Sequence, residues 1–188
     1  NSIFCGTANG LLYELNNNFE VTKKVQLGKN ALRSLHIFNH QIYGGATGGK
    51  LYKLDLNLNN ILEKEAHSDS IFAITDNGRE LITGGKDALL KIWTQDLELL
   101  KEPIKAHLYH VKSLCLNPNK TLFSSTSMDK SIKIWDAQNM ELQKVINYEK
   151  NEAHSSSINC GLWFDEKTFI SCSDDRKILS FKLNYNPH

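Results

Sequence analysis

The sequence lacks the features that would place the protein in a membrane or on a nucleic acid. No apolar run approaches the roughly 20 residues of a membrane-spanning helix, and the first residues, "NSIFCG", do not have the order of a signal peptide. The 22 basic and 21 acidic residues leave a formal charge of +1 and form no long run of one sign. We therefore expect a cytoplasmic protein with neither a membrane nor a nucleic-acid partner.

Cysteines are also few, and they form no Cys-x-x-Cys pair. Three of the four, which are Cys5, Cys115, Cys160 and Cys172, lie inside apolar runs. We interpret them as small buried hydrophobic residues in a reducing compartment. The alternative is that Cys160 and Cys172 approach each other across neighbouring strands.

Helical periodicity is missing as well. Apolar spacings of three and four residues persist over no window of about 11 residues or more. In the middle of the chain the apolar runs are short, "IFAIT", "ELITGG", "LLKIW" and "LELLKE", and they are separated by turn residues. Their content of Ile, Leu, Phe, Thr and Trp favours strands. We expect almost no helix.

An internal repeat is what the sequence does have. The segments "TANGLLYELN", "ATGGKLYKLD", "GKDALLKIWT", "SMDKSIKIWD" and "SDDRKILSFK" align, and their turn residues Asn9, Gly48, Asp87, Asp129 and Asp175 lie 39, 39, 42 and 46 residues apart. Four strands in each period of about 40 residues is the signature of a propeller blade. The repeat predicts an all-β fold, a β-propeller of four-stranded antiparallel blades in one domain. The approximate blades are 1–27, 28–66, 67–106, 107–153 and 154–188.

The repeat resembles the tryptophan-aspartate (WD) repeat family of β-propellers. The match is carried by "AH" before a strand, by Ser or Thr four residues before the turn Asp, and by the closing "IW" or "IWD". The resemblance implies one hydrogen-bonded set of side chains in each blade. The sets are His67, Thr83, Asp87 and Trp93; His107, Ser125, Asp129 and Trp135; and His154, Ser171 and Asp175, with Phe181 in place of the Trp. The Phe removes an N–H donor, so the third set should be one bond short.

The first two periods depart from that pattern. Gly28 stands at the place of the histidine, and Cys5 and Gly44 stand at the place of the hydroxyl. In the order of the family the chain begins at the second strand of a blade and ends after a third strand. Since a seven-bladed ring needs roughly 290 residues, we expect an incomplete ring of about five blades. Upstream residues, about 100 of them, or another chain would supply the missing blades.

Catalytic residue types recur in these sets, but the recurrence argues against an enzyme. Ser or Thr, His and Asp take the same places in three blades, and a catalytic triad is rarely needed three times in one domain. His107 and His110 have no carboxylate or Cys at ligand spacing, so we expect no metal and no other cofactor. Two alternatives stay open. One is a quinoprotein-like propeller enzyme, suggested by the texture of "GTANGLLYEL" and "GGATGGKLYKL", and the other is a structural subunit of a large complex.

The resemblance implies a protein-protein interaction scaffold whose partner docks on one face. In the family, partners dock on the face that carries the loops between blades and the turns between second and third strands. The outward positions matched there are Arg33, Phe72, Lys86, His110, Lys112, Met128, Asn159 and Asp174. Phe72 and Met128 with nearby cations have the composition of a hot spot for an acidic or amphipathic peptide. The alternative is that each is an isolated surface residue.

Overall fold

The computed structural model describes residues 2–183, which form strands and a single short helix. The first two sheets comprise β1 (Ile3–Gly6), β2 (Leu11–Leu15) and β3 (Val21–Gln26), then β4 (Leu32–Phe38), β5 (Gln41–Ala46), β6 (Lys50–Asp55) and β7 (Leu62–Glu65). The next two comprise β8 (Ile71–Asp76), β9 (Leu81–Gly85), β10 (Leu89–Trp93) and β11 (Ile104–Lys105), then β12 (Val111–Leu116), β13 (Leu122–Ser127), β14 (Ile132–Asp136) and β15 (Leu142–Ile146). After the helix α1 (Tyr148–Asn151), the last sheet comprises β16 (Ile158–Trp163), β17 (Thr168–Ser173) and β18 (Ile178–Lys182).

Each sheet is an antiparallel meander of strands that are consecutive in the chain. The orders are β1-β2-β3, β4-β5-β6-β7, β8-β9-β10-β11, β12-β13-β14-β15 and β16-β17-β18. Short connections suffice because antiparallel neighbours need only a tight turn. The prediction of an all-β fold of antiparallel sheets, with almost no helix, is confirmed.

The hydrophobic core lies between successive sheets. One cluster joins Tyr43 and Leu51 of the second sheet to Ile71, Leu81 and Trp93 of the third. A second cluster joins the third sheet to the fourth, and a third joins the fourth to the fifth. A strand turns alternate side chains to opposite faces, so each inner sheet contributes to two of these layers.

Glycines allow the first strand of one sheet to approach the second strand of the sheet before it. A Cβ built at Gly45 would lie 2.6 Å from Ile71 Cγ2, and one built at Gly84 would lie 2.6 Å from Val111 Cγ1. Any side chain at either glycine would displace the next sheet. This position is therefore a contact point between the second and third sheets and between the third and fourth.

One predicted strand is wrong. The run "LELLKE" forms a turn and a single bridge between Leu99 and Trp93, and the fourth strand of that sheet is the short β11. Leu97, at φ 60°, lies in the turn that returns the chain to β10, where Leu100 N donates to the Ile92 carbonyl. Pro103, which has no N–H to donate to a ladder, then delays pairing until Ile104.

The interpretation of the cysteines as buried residues is also wrong. Cys5, Cys160 and Cys172 are exposed, Cys115 is half-buried, and all four thiols are free. The register of β16 and β17 explains the exposure of two of them. Phe169 and Ser171 turn to the core face of that sheet, so the alternating Cys172, and Cys160 opposite it, turn to the other face.

Candidate functional site

In the fourth sheet four polar side chains form one buried chain of hydrogen bonds. His107 Nδ1 lies 2.9 Å from Asp129 Oδ2, and its Nε2 lies 2.7 Å from Ser125 Oγ. The Trp135 indole N–H donates to the same hydroxyl oxygen at 2.9 Å. The histidine comes from the loop before β12, the serine from β13, the aspartate from the following turn and the tryptophan from β14. The set therefore ties the loop to three parts of the sheet.

The hydrogen bonds fix the direction of donation along this chain. A carboxylate only accepts and an indole N–H only donates, so His107 Nδ1–H donates to Asp129, and Trp135 occupies one lone pair of Ser125. The Ser125 hydroxyl then donates to the unprotonated Nε2. With this direction of donation, every buried donor and acceptor of the set has a hydrogen-bond partner, as burial requires.

The third sheet repeats the same geometry with threonine as the hydroxyl. His67 Nδ1 donates to the Asp87 carboxylate at 2.9 Å, and Thr83 Oγ1 lies 2.7 Å from His67 Nε2. The Trp93 N–H donates to Thr83 Oγ1 at 2.8 Å. The structure thus brings together all four side chains that the sequence grouped here.

The fifth sheet lacks one of these bonds. His154 Nδ1 donates to Asp175 at 3.0 Å, and Ser171 Oγ lies 2.9 Å from His154 Nε2. Phe181 stands at the position of the tryptophan and has no N–H to offer to Ser171. This set holds its loop with one hydrogen bond fewer.

Each aspartate of these sets is held as the carboxylate. Burial raises the pKa of Asp129, but the hydrogen bond and charge of His107, with the Ser131 hydroxyl and the Leu108 amide, hold it well below its usual range. For Asp87, burial raises the pKa and the hydrogen bond from His67 outweighs it, so the net pKa is lowered. The pKa of Asp175 is lowered in the same way by His154.

Although the order Asp, His, Ser is that of a hydrolase triad, the nucleophile position is closed to any substrate. The three histidine side chains are 0% exposed. Thr83 and Ser125 are 0% exposed and Ser171 is 2% exposed. A triad serine must present its oxygen to a scissile carbonyl, whereas Trp135 and Trp93 already cover two of these hydroxyls. Each set can hold a blade together, and we call it a brace. Its hydroxyl cannot attack a bond.

The second sheet fills the same space without a brace. A Cβ at Gly28 would lie 2.6 Å from the Tyr52 hydroxyl oxygen, so the tyrosine of β6 occupies room next to the missing histidine. Gly48, at φ 86°, stands at the place of the turn aspartate, and the next residue, Gly49, accepts the amide of His67 on its carbonyl, as Ala88 accepts that of His107. The sequence analysis identified the missing histidine at Gly28, but it did not identify Tyr52 as the side chain beside that position.

The residues matched to partner docking lie at one end of the sheets, which we call the loop face. It is formed by the loops that precede β4, β8, β12 and β16 and by the turns between the second and third strands of each sheet. Loop 108–110 runs beside turn 127–129. Leu108 N donates to Asp129 Oδ2, the Ser127 hydroxyl donates to the Tyr109 carbonyl, and Met128 N donates to the His110 carbonyl. These bonds make the loop and the turn one continuous surface.

Three of the predicted residues meet at the centre of this face. The Phe72 and His110 rings lie 6.0 Å apart, and the Lys112 ammonium lies 5.4 Å from the centre of the Phe72 ring. Phe72 is half-buried beneath them, so it is a support of the surface more than a free anchor. In the part of the chain that the structure describes, no carboxylate lies within ion-pair distance of Lys112. Its charge is therefore available to a partner.

Lys86 belongs to the same group but already has an acid. Its ammonium lies 2.8 Å from Asp69, and this hydrogen bond, with the Ser70 amide, lowers the pKa of Asp69 to about 2. Burial lowers the pKa of His110, and the charges of Lys86 and Lys112 lower it further. The lowered pKa favours the neutral imidazole of His110.

The other predicted residues of the loop face pair within their own sheets. Arg33 Nε donates to Thr47 Oγ1 at 3.0 Å in the second sheet. The Asn159 amide donates to the Asp174 carboxylate in the fifth. Met128 is 46% exposed and lies beside the central group.

Sequence reasoning missed the most exposed apolar residues of the face. Leu108 is 84% exposed and Tyr109 is 59% exposed, both in the loop directly after His107. A signal was present, since the corresponding residues after the other two histidines are "SD" and "SS". A Leu-Tyr pair in a loop whose counterparts are polar marks this blade as different.

Two further structural facts bear on chemistry. Residues 2–183 contain no group of three or more His, Cys, Asp or Glu side chains arranged to hold a metal ion. None of the described helical structure is long and apolar enough to cross a membrane.

Comparison with known proteins matches two stretches of the chain to a repeat family. Residues 59–94 and 98–136 fit the family model described as "WD domain, G-beta repeat". These stretches contain the "IW" and "IWD" segments and the sets of the third and fourth sheets. The family resemblance drawn from the sequence is confirmed.

Relatives from several organisms match part of the chain. The protein transport protein sec13 of Neurospora crassa is 39% identical over 118 residues, which cover 56% of this chain and 37% of that protein. The methylosome protein WDR77 of Xenopus laevis is 27% identical over 142 residues, covering 68% of this chain and 41% of that protein. The chain thus spans well under half the length of these relatives.

A solved structure shares the fold. A chain in the crystal structure of a mitotic checkpoint complex superposes with a TM-score of 0.85 at 18% identity, over 97% of this chain and 60% of that one. With the five meandering sheets, this confirms the propeller fold.

Proposed function

We propose that this chain, a WD-repeat β-propeller chain, is a non-catalytic scaffold that binds a protein or peptide partner on its loop face. The observation that carries the proposal is the exposed apolar residues Leu108, Tyr109 and Met128 on the same face as the Lys112 ammonium, which forms no ion pair within the described part of the chain. An apolar centre next to a charged rim is the usual anatomy of a protein-binding hot spot.

The chemistry of the surface indicates the kind of partner. Leu108 and Tyr109 offer an exposed anchor site, and burying one such side chain contributes about 1.5–3 kcal/mol. The Lys112 ammonium lies over the Phe72 ring and has no acidic partner among residues 2–183, so an Asp or Glu of the partner would form an ion pair with it. The structure favours a partner segment with a hydrophobic residue next to an Asp or Glu.

The non-catalytic part of the proposal is supported by burial. The hydroxyls that resemble nucleophiles lie inside the sheets, where they accept from Trp93 and Trp135. The relatives are named for different cellular roles, protein transport in one case and a methylosome in another. That diversity fits one scaffold presenting different surfaces, as expected when function lies in sites grafted on a common fold.

A cytoplasmic location is part of the proposal. All four cysteines carry free thiols, three of them exposed, and exposed unpaired thiols are characteristic of a reducing compartment.

The test compares variants at two ends of the sheets. The partner is first captured with the wild-type chain. The double variant Leu108→Ser and Tyr109→Ser, and separately Lys112→Glu, should each weaken the affinity for that partner by about tenfold or more, since hot-spot residues each contribute about 2 kcal/mol or more. The matched control is Phe164→Ser. Phe164 is 73% exposed and lies in the loop between β16 and β17, at the opposite end of the sheets.

Melting temperatures separate binding from folding. Leu108 and Tyr109 are exposed, so their replacement should change the free energy of unfolding by no more than about 0.5 kcal/mol. If Phe164→Ser lowers the affinity for the partner as much as the loop-face variants do, the proposed docking face is refuted.

A further inference from the structure

The two methionines of the chain differ in their access to solvent. Met128 is 46% exposed and lies in the turn between β13 and β14. Met140 is 6% exposed and packs in the hydrophobic cluster between the third and fourth sheets. A peroxide oxidises a thioether that solvent reaches much faster than one that is buried in a core. The chain therefore carries one methionine open to oxidation and a second that serves as an internal control.

The turn that carries Met128 belongs to a sheet with a neighbour on each side. The fourth sheet packs against the third through one hydrophobic cluster and against the fifth through another. Met128 N donates to the His110 carbonyl, and the Ser127 hydroxyl donates to the Tyr109 carbonyl. The exposure of Met128 therefore arises from its place on the loop face, at an end of the sheet, and not from a sheet face without a neighbour.

Met128 is an apolar residue at a turn position that is polar in the other sheets. The residues at the same position of the second, third and fifth sheets are Thr47, Lys86 and Asp174. The loop directly after His107 departs in the same direction, since it begins with "LY" where the loops after the other two histidines begin with "SD" and "SS". Loop and turn of this one blade are thus both apolar, which indicates that Met128 belongs to the same contact surface as the loop.

We propose that Met128 is a reversible modification site, at which oxidation to methionine sulfoxide by a peroxide releases the partner from the loop face; this inference rests on the proposed function. The thioether sulfur attacks one oxygen of hydrogen peroxide, and the O–O bond breaks. The second oxygen leaves as hydroxide, takes the proton of the transferred oxygen and becomes water. The sulfur loses two electrons and the peroxide gains them. Methionine sulfoxide reductase restores the thioether and releases the oxygen as water, while two thiols are oxidised to a disulfide.

Oxidation changes the chemistry of the docking surface and leaves the core untouched. A thioether is apolar and adapts its shape to an apolar partner. The sulfoxide oxygen is polar and must give up its water when a partner covers it, and without a new donor this costs a factor of about ten or more in affinity. Met128 lies outside the four hydrophobic clusters of the described residues. Its oxidation should therefore weaken binding without unfolding the sheets.

The test treats the full chain with hydrogen peroxide and maps its peptides by mass spectrometry. Met128 should be converted to the sulfoxide about tenfold or more faster than Met140 in the folded chain, and at the same rate after denaturation in urea. The oxidised chain should bind the partner captured by the wild-type chain about tenfold or more weakly. Methionine sulfoxide reductase should restore the affinity, and circular dichroism checks that the fold is retained throughout.

Met128→Leu is the matched control, because it keeps an apolar side chain and all four free thiols but has no sulfur at this position. It should bind the partner as the wild-type chain does, both before and after peroxide. Met128→Gln introduces a polar group without oxidation and should bind about tenfold more weakly in the absence of peroxide. An equal loss of affinity in the wild-type chain and in Met128→Leu would assign the effect to the thiols and overturn the proposal, as would equal oxidation rates of Met128 and Met140 in the folded chain.

Failure of this proposal and failure of the docking face give different results. If the oxidised chain keeps its affinity while Lys112→Glu and the double variant Leu108→Ser and Tyr109→Ser lose the partner, the docking face stands and the proposal for Met128 is wrong. If these loop-face variants also keep the partner, the docking face is refuted, and the proposal for Met128 is refuted with it.

Discussion

Replacing Asp129 by alanine removes the carboxylate at the centre of the fourth-sheet brace. Asp129 accepts hydrogen bonds from His107 Nδ1, from the Leu108 and Ser131 amides and from the Ser131 hydroxyl. Water can replace the bond to Leu108, which lies in an exposed loop, but the His107 side chain is 0% exposed, and its Nδ1–H would keep only the Ser131 hydroxyl oxygen, 3.2 Å away, as a partner. An unpaired buried group costs about 1–3 kcal/mol, and a lost bond to a charged group costs about 1.5–3 kcal/mol.

We therefore expect Asp129→Ala to lower the free energy of unfolding by about 3 kcal/mol. In a protein of this size each kcal/mol lowers the melting temperature by about 2–4 °C, so the shift should be about 6–12 °C. Urea titration and calorimetry measure the two quantities. The control is Asp174→Ala, an exposed carboxylate one residue before a brace aspartate, with an expected change of no more than about 0.5 kcal/mol.

The outcome also separates architecture from catalysis. Any binding activity of Asp129→Ala should follow the folded fraction and return when the variant is cooled below its melting temperature. An unchanged melting temperature, with a loss of activity, would refute the structural account of the brace and return Asp129 to the candidates for an active site.

Three further perturbations test the same structure. Trp135→Phe should cost about 1–2 kcal/mol in urea titration, because Ser125 loses the indole donor that the fifth sheet already lacks; an unchanged midpoint would contradict the role of that bond. Asp129 has a lowered folded-state pKa, so its contribution to stability is present above its unfolded pKa near 4 and is lost as the pH falls toward the lower folded value. Asp129→Asn should therefore flatten the fall in unfolding free energy below about pH 4, and an identical slope would contradict this assignment. Gly84→Ala should cost about 1–3 kcal/mol through the clash with Val111, and Val111→Ala should recover part of that loss in the double variant.

Much of the fold could be predicted because its signals are local and recur. The spacing of turn residues and the identities of His67, Asp87 and Trp93 are visible in the sequence, and they name a set that the chain brings together in three dimensions. The prediction of a strand over "LELLKE" was wrong, because only Leu99 and Leu100 pair with β10 there, and Pro103, which has no N–H to donate, precedes the short β11. Propensity describes what a segment prefers, whereas the register of its neighbours decides whether it pairs.

The candidate site was harder to predict than the fold. Residues were taken from family positions, so the pattern could not show that Phe72 is covered by Lys112 or that Lys86 is already paired with Asp69. The first contact joins the third sheet to the fourth, and the second joins a loop to a turn of the third sheet, and neither can be read from the spacing of the repeat. Leu108 and Tyr109 lie outside the matched positions, and only a comparison of the three loops reveals them.

The face on which a partner sits is the central claim, and site-specific photo-crosslinking tests it most directly. A photoreactive residue is placed at Leu108 in one sample and at Phe164 in the other, two apolar positions of similar exposure at opposite ends of the sheets. The account predicts that the partner bound by the wild-type chain is crosslinked from position 108 and not from position 164, and that Lys112→Glu abolishes the product. Crosslinking from position 164 alone would contradict it.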